Sequence, residues 1–197
     1  MKRNAVITGK LLIGILALAL SGCAAVVVGG AATGVAVAHD RRTTGTFVED
    51  QEIFLKAFGI RNSDEDLKRR SNINIEVFNL QVLLTGQAEN MDIVEAFRQR
   101  VAGIQRVRTV FNEVAEGAES TWSEATADAY LTSKVKVAMF SVKIKGFDPT
   151  RVHVTSSQGS VYLMGLLTPT EADAVTEEVR FVSGVKRVVK LFEYLNE

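Results

Sequence analysis

The sequence predicts an α+β protein made of two tandem copies of one αββαβ unit, each a three-stranded mixed sheet packed against two helices. Three observations carry this prediction. The chain repeats itself: Val82-Leu83-Leu84-Thr85-Gly86 matches Val161-Tyr162-Leu163-Met164-Gly165, and Val101-Ala102-Gly103-Ile104-Gln105-Arg106-Val107 matches Val182-Ser183-Gly184-Val185-Lys186-Arg187-Val188. Helical and strand periodicities occur in the same order in both copies. Each copy ends strand, helix, strand, which a right-handed crossover closes into a parallel pair with both helices on one face.

Before the repeat comes an export segment. Lys2 and Arg3 precede an apolar run from Leu11 to Leu20, and Leu20-Ser21-Gly22-Cys23 follows, the three-part layout of a signal peptide with small residues at the cut. Residues 1–22 are therefore read as a lipoprotein signal peptide and Cys23 as the acylated residue. Residues 23–45 then form a Gly/Ala/Val-rich segment and polar tether. A transmembrane anchor is the alternative, because 24–38 is also apolar. Glycines at 14, 22, 29, 30 and 34 interrupt that stretch, and the single cysteine sits where processing would place it. Two or three acyl chains, at about 0.8 kcal/mol per buried CH₂, hold a protein durably at a membrane.

The elements of the repeat follow in order. Val48 to Phe58 and Ser123 to Phe140 have helical spacing. Ile73, Ile75 and Val77 alternate, as do Val152 and Val154, Val82 and Leu84, and Val161 and Leu163, the period of strands. Asparagine in one copy and Gln158-Gly159 in the other separate the paired strands as hairpin turns. A second helix is expected over 90–101 and 170–182, the latter behind Pro169, ending at Gly103 and Gly184 in a left-handed conformation. Val107 with Val110 and Val188 with Leu191 mark a last strand. The boundaries read 46–116 for the first domain, 117–123 for an acidic linker and 124–197 for the second domain.

The V-x-L-x-G strand endings, the Ser183-Gly184-Val185-Lys186-Arg187-Val188 turn and the tether Asp40-Arg41-Arg42-Thr43-Thr44-Gly45-Thr46 resemble the BON (bacterial OsmY and nodulation) domain proteins, specifically the dual-BON outer-membrane lipoproteins. The likeness spans nearly the whole chain. It implies an αββαβ fold for each copy, residence at the periplasmic face of the outer membrane, a role in envelope integrity, and binding of anionic phospholipid through the second domain. Ala24, a non-acidic residue after the cysteine, favours the outer membrane under the usual enterobacterial sorting rule.

On a helix over 123–142, Leu131, Val135, Ala138 and Val142 form one apolar stripe, assigned to the core, whereas Tyr130, Val137 and Phe140 point elsewhere with Lys134 beside Tyr130. Aromatic residues at headgroup level with lysines toward phosphate are what an interfacial helix uses. Residues 131–147 hold four lysines and no acid. The resemblance implies that this helix meets lipid, with Tyr130, Lys134 and Phe140 at matching positions and Tyr130 where tryptophan is expected. The alternative is that Val137 and Phe140 extend the core or pack on the other domain.

Catalytic chemistry finds no constellation. His39 falls in the tether, and His153 alternates outward between Val152 and Val154 with no partner in view, so neither is a metal or catalytic residue. Asp64, Glu65 and Asp66 suit a helix start. No phosphate-binding glycine loop and no cofactor motif occur. Lys2, Arg3 and Lys10 precede Cys23, leaving 20 basic against 23 acidic residues in the mature chain, which argues against nucleic acid. The expected protein is a non-enzymatic lipid-binding lipoprotein, its partners a membrane through the acyl anchor and anionic phospholipid. The alternative is an adaptor that docks an envelope enzyme or assembly machine.

Overall fold

The computed structural model describes residues 40–118 and 121–195; the segment 1–22 read as a signal peptide, Cys23 and His39 lie outside them. The first copy runs α1 (Thr44–Asn62), α2 (Glu65–Arg70), β1 (Ser71–Phe78), β2 (Gln81–Ala88), α3 (Met91–Ala102) and β3 (Thr109–Glu116). The second runs α4 (Trp122–Ala138), β4 (Val152–Ser157), β5 (Ser160–Leu167), α5 (Pro169–Arg180) and β6 (Arg187–Tyr194), with one-turn 3-10 helices at Met139–Ser141 and Pro149–Arg151. The αββαβ order is the expected one, with α2 added where Asp64, Glu65 and Asp66 cluster. Asp64 caps α2 by accepting from the Asp66 and Leu67 N–H groups. Thr121 with Glu124 and Thr168 with Glu171 form capping boxes at the starts of α4 and α5, so α4 begins within the segment read as linker. Among the described residues no helix is long and apolar enough to cross a membrane.

In each copy the first two strands are antiparallel and the third runs parallel to the second, giving sheet orders β1-β2-β3 and β4-β5-β6. The two-residue hairpin turns are Asn79-Leu80 (φ 50° and 65°) and Gln158-Gly159 (φ 52° and 81°), the double positive φ of a type I′ turn. Leu80 is a poor residue for that conformation. An aspartate from the first helix of each copy holds the turn. Asp50 accepts from the Asn79 and Leu80 N–H groups at 2.8 and 2.7 Å, and Asp128 from those of Gln158 and Gly159 at 2.8 and 3.2 Å. Asp50 is buried and also paired with Arg42 at 2.8 Å. Asp50→Ala should therefore cost about 3 kcal/mol in denaturant unfolding, against about 1 kcal/mol for Asp128→Ala at its more exposed turn.

The strand registers correct the second repeat match. Gln81 pairs with Thr109 and Ser160 with Arg187, so Thr109 is equivalent to Arg187 and Arg106 to Gly184, three residues off the match of the Gly103 and Gly184 segments. Arg106 (φ 75°) and Gly184 (φ 102°) take the left-handed conformation. Gly103 instead caps α3 right-handed at φ −77°, and α5 ends at Arg180 with Phe181 as its cap, ahead of Gly184. The carbonyls of Leu80 and Gly159, which accept from the Arg108 and Lys186 N–H groups, set the chain's entry into the last strand. Backbone pairing overrides local likeness.

Each sheet packs one face on its helices. Ile53, Leu67, Ile73, Leu84, Val94 and Phe97 form the first core, and Leu131, Val135, Met139, Val161, Leu163 and Val175 the second. The opposite faces meet: Phe78 and Leu83 of the first domain cluster with Tyr162 and Met164 of the second, flanked by Phe111, Leu166, Val189 and Leu191. The outward alternation expected for His153 is thus outward from its own helices and toward the other domain. Its Nε2 lies 2.9 Å from Glu76 Oε2, beside Phe78, which corrects the expectation of a partnerless surface histidine. Arg187 with Glu113 at 2.7 Å and Arg108 with Glu193 at 2.7 Å rim the same junction.

Candidate functional site

The amphipathic division of α4 has a physical basis in its 3.6-residue turn. Leu131 and Val135 are buried, joined by Met139, while Ala138 and Val142 are half-buried. On the other side Tyr130, Val137 and Phe140 are 68, 70 and 72% exposed, neither absorbed into the core nor covered by the first domain. Trp122 continues this ridge. It lies eight residues before Tyr130, close to two turns, and is 91% exposed. Sequence reasoning placed it in the linker, although the 122, 126, 130, 133, 137 spacing was the available signal. A ridge of isolated exposed apolar side chains is ordinary, but one lined up along five turns, with lysines beside its C-terminal half, has the form of an interfacial helix.

The expected site residues do not converge on one cavity. Tyr130 and Lys134 line one of about 720 Å³ with Asp128, Leu131, Gly184 and Lys186. The Lys134 ammonium lies 5.6 Å from the Tyr130 ring centre and donates to the Ser183 carbonyl, so it is steered toward the α5–β6 turn. Phe140 lines another cavity, of about 410 Å³, with Asp40, Lys136, Thr150 and His153. Val137 stands on the ridge between them along the helix. Phe140 thus sits where the described chain begins, at Asp40.

Charge is graded along the helix. Glu124 and Asp128 occupy its start and Lys134 and Lys136 its end, with Lys143 and Lys145 beyond. This order complements the helix dipole. The Thr121 N–H and hydroxyl, both donating to Glu124, hold that carboxyl below its usual value. The basic end is the Phe140 end.

Among the described residues no group of three His, Cys, Asp or Glu side chains is placed to hold a metal ion. The buried acids Asp50 and Glu171 are taken up by backbone N–H groups and by Arg42 and Arg41. Burial raises the Tyr162 phenol, which the Arg187 guanidinium touches at 3.2 Å in the junction between the sheets. These pairings hold structure together: Asp50 a hairpin turn, Glu171 the start of α5, and Tyr162 the junction between the sheets.

Comparison with known proteins agrees with this architecture. The BON domain family matches residues 61–117 and 127–196. The chain is 35% identical over 178 residues, 90% of its length and 91% of the relative's, to the outer membrane lipoprotein DolP of Haemophilus influenzae. It is 32% identical over 157 residues, 79% of each chain, to a 21 kDa hemolysin of Actinobacillus pleuropneumoniae. Neither name denotes an enzyme. Among solved structures, CdsD, a structural protein of the type III secretion system of Chlamydia trachomatis, is similar over 73% of this chain and 92% of that chain, at 16% identity and a TM-score of 0.27, too low to inform the fold.

Proposed function

This chain belongs to the BON domain family as a DolP-like dual-domain lipoprotein of the outer membrane, and from that premise we propose that it is a non-enzymatic protein, acylated on Cys23 at the periplasmic face, that binds anionic phospholipid through α4 and supports envelope integrity. The observation that carries the reading is the exposed Tyr130–Val137–Phe140 ridge, whose basic end shares a cavity with Asp40. Sixteen residues lie between Cys23 and Asp40, so acylation would keep the ridge at high effective concentration near lipid, where a weak contact suffices. The aromatic side chains supply interfacial burial and Lys134, Lys136, Lys143 and Lys145 attract phosphate, each lysine near the surface worth about 1 kcal/mol.

Trp122 is the chain's single tryptophan and hence a built-in reporter. In the mature chain with Cys23→Ser, which has no acyl group, its emission should shift to the blue with anionic vesicles, not with zwitterionic ones, and the shift should weaken as salt rises. Unchanged emission together with unchanged sedimentation would reject the reading.

One observation favours a second reading, an adaptor for an envelope enzyme or assembly machine. The α1 helix of the first domain also shows an apolar face, with Phe47, Val48, Leu55 and Phe58 exposed, but its ion pairs Glu52–Lys56 and Glu49–Arg106 leave it without the lysine excess of residues 131–147. Such a face suits protein rather than anionic lipid. Co-purification of an envelope protein that survives removal of lipid and is lost on Leu55→Glu would support it.

A further inference from the structure

We propose that Arg41 and Arg42 form a clasp that locks the second domain onto the first, so that the membrane-proximal end of the described chain is a structural joint. The two arginines are adjacent in the non-helical stretch ahead of α1, yet their side chains go to different domains. Arg42 is held by the first. Its guanidinium donates to Asp50 at 2.8 Å and to Asp40 at 2.6 and 3.0 Å, and lies over the Phe78 ring at 4.1 Å. Arg41 reaches the second. Its two terminal nitrogens donate to Glu171 Oε2 and Oε1 at 2.5 and 2.8 Å, and one also donates to the Leu166 carbonyl at 2.9 Å. Glu171 is only 5% exposed.

The protein contains its own control for the role of Glu171. Both Glu124 and Glu171 complete capping boxes, accepting from the N-cap N–H at 2.8 and 2.9 Å. Glu124 does this exposed to solvent and without an arginine. A cap therefore needs neither burial nor Arg41. Glu171 has both, and a buried carboxylate is tolerated only when paired. The fork geometry that matches both carboxylate oxygens is specific to arginine. Burial alone would raise the Glu171 carboxyl, but the Arg41 guanidinium and the Thr168 N–H outweigh it and hold the carboxyl below its usual value.

The clasp has a consequence for geometry. With Arg41 on α5 and Arg42 on α1 and β1, the chain's departure at Asp40 is fixed beside Phe140 and Lys136. The pairings of the first domain thus reach back to Asp40, six residues ahead of the domain start at residue 46 read from sequence. The two domains could not rotate about their linker without breaking Arg41 from Glu171. This holds whether or not α4 binds lipid.

The test is nuclear magnetic resonance of the full mature chain in detergent, following contacts between the Met164 methyl and Phe78 or Leu83, and residual dipolar couplings that report domain orientation. Arg41→Ala and Glu171→Gln should each weaken the interdomain contacts and the common alignment of the two domains, which the apolar junction and its rim pairs then hold less tightly, while contacts within each domain persist. Arg41→Lys, which keeps the charge without the fork, should weaken them less. Glu171→Gln retains a cap acceptor, so weakened alignment there separates the clasp from the cap. Interdomain contacts and alignment unchanged in Arg41→Ala would overturn the proposal. If Arg41→Ala does not fold, the exchanged pair R41E/E171R decides: restored interdomain contacts support the clasp, and a folded exchanged pair without them overturns it.

Discussion

Phe140→Glu should abolish the binding of the Cys23→Ser mature chain to anionic vesicles while leaving its thermal unfolding unchanged. Phe140 is 72% exposed and follows the last turn of α4, so its side chain contributes little to the core that Leu131, Val135 and Met139 build beneath it. In the proposed contact it is the apolar side chain nearest the basic end of the helix. Transfer of such a ring to an apolar environment is worth about 2 to 3 kcal/mol, and a carboxylate in its place meets anionic headgroups with the wrong sign. The combined loss corresponds to about a hundredfold or more in affinity. Phe140→Leu keeps an apolar group and should retain most of the binding. Sedimentation of Phe140→Glu equal to that of the parent protein would remove α4 as the lipid contact.

Gly86→Ala should destabilise the protein by about 3 kcal/mol or more in thermal or denaturant unfolding, whereas Gly165→Ala, at the matching position of the second copy, should cost about 1 kcal/mol. The two glycines end the same V-x-L-x-G strand pattern, and the register pairs Gly86 with Ile73 and Gly165 with Val152. Their backbones differ. Gly86 has φ 115°, and a Cβ there would fall 1.9 Å from the Asn72 carbonyl oxygen, a collision with backbone that no rotamer change relieves. At Gly165 the nearest atom to an added Cβ is the Arg151 carbonyl oxygen, at 3.1 Å, so a shift of a few tenths of an ångström accommodates it. Equal costs at the two sites would show that the first hairpin can relax in a way its geometry does not suggest.

Legibility in the sequence follows the range of the interaction concerned. The Leu131 and Val135 stripe and the exposed Tyr130, Val137 and Phe140 were readable because the helix period alone decides which side chains share a face. Trp122 was missed because helix starts are set by a single cap, here Thr121, next to an acidic stretch that reads equally well as linker. The contact between the sheets left a trace in Val161-Tyr162-Leu163-Met164, a strand without polar alternation, which is how a strand buried on both faces reads. The partner of that second face could not be named from the run itself.

By itself the sequence determined the two αββαβ copies, the hairpin turns and the apolar division of α4, because each depends on residues a few positions apart. Only the tertiary structure decided that the sheets pack face to face, that His153 meets Glu76, that Arg106 rather than Gly103 is equivalent to Gly184, and that Arg41 closes on Glu171. Those outcomes join groups from 77 to 130 residues apart, or rest on which carbonyl a strand's first N–H finds. Burial then turns such distant pairs into strong preferences, since a carboxylate or backbone N–H withdrawn from water must find a partner wherever the fold supplies one.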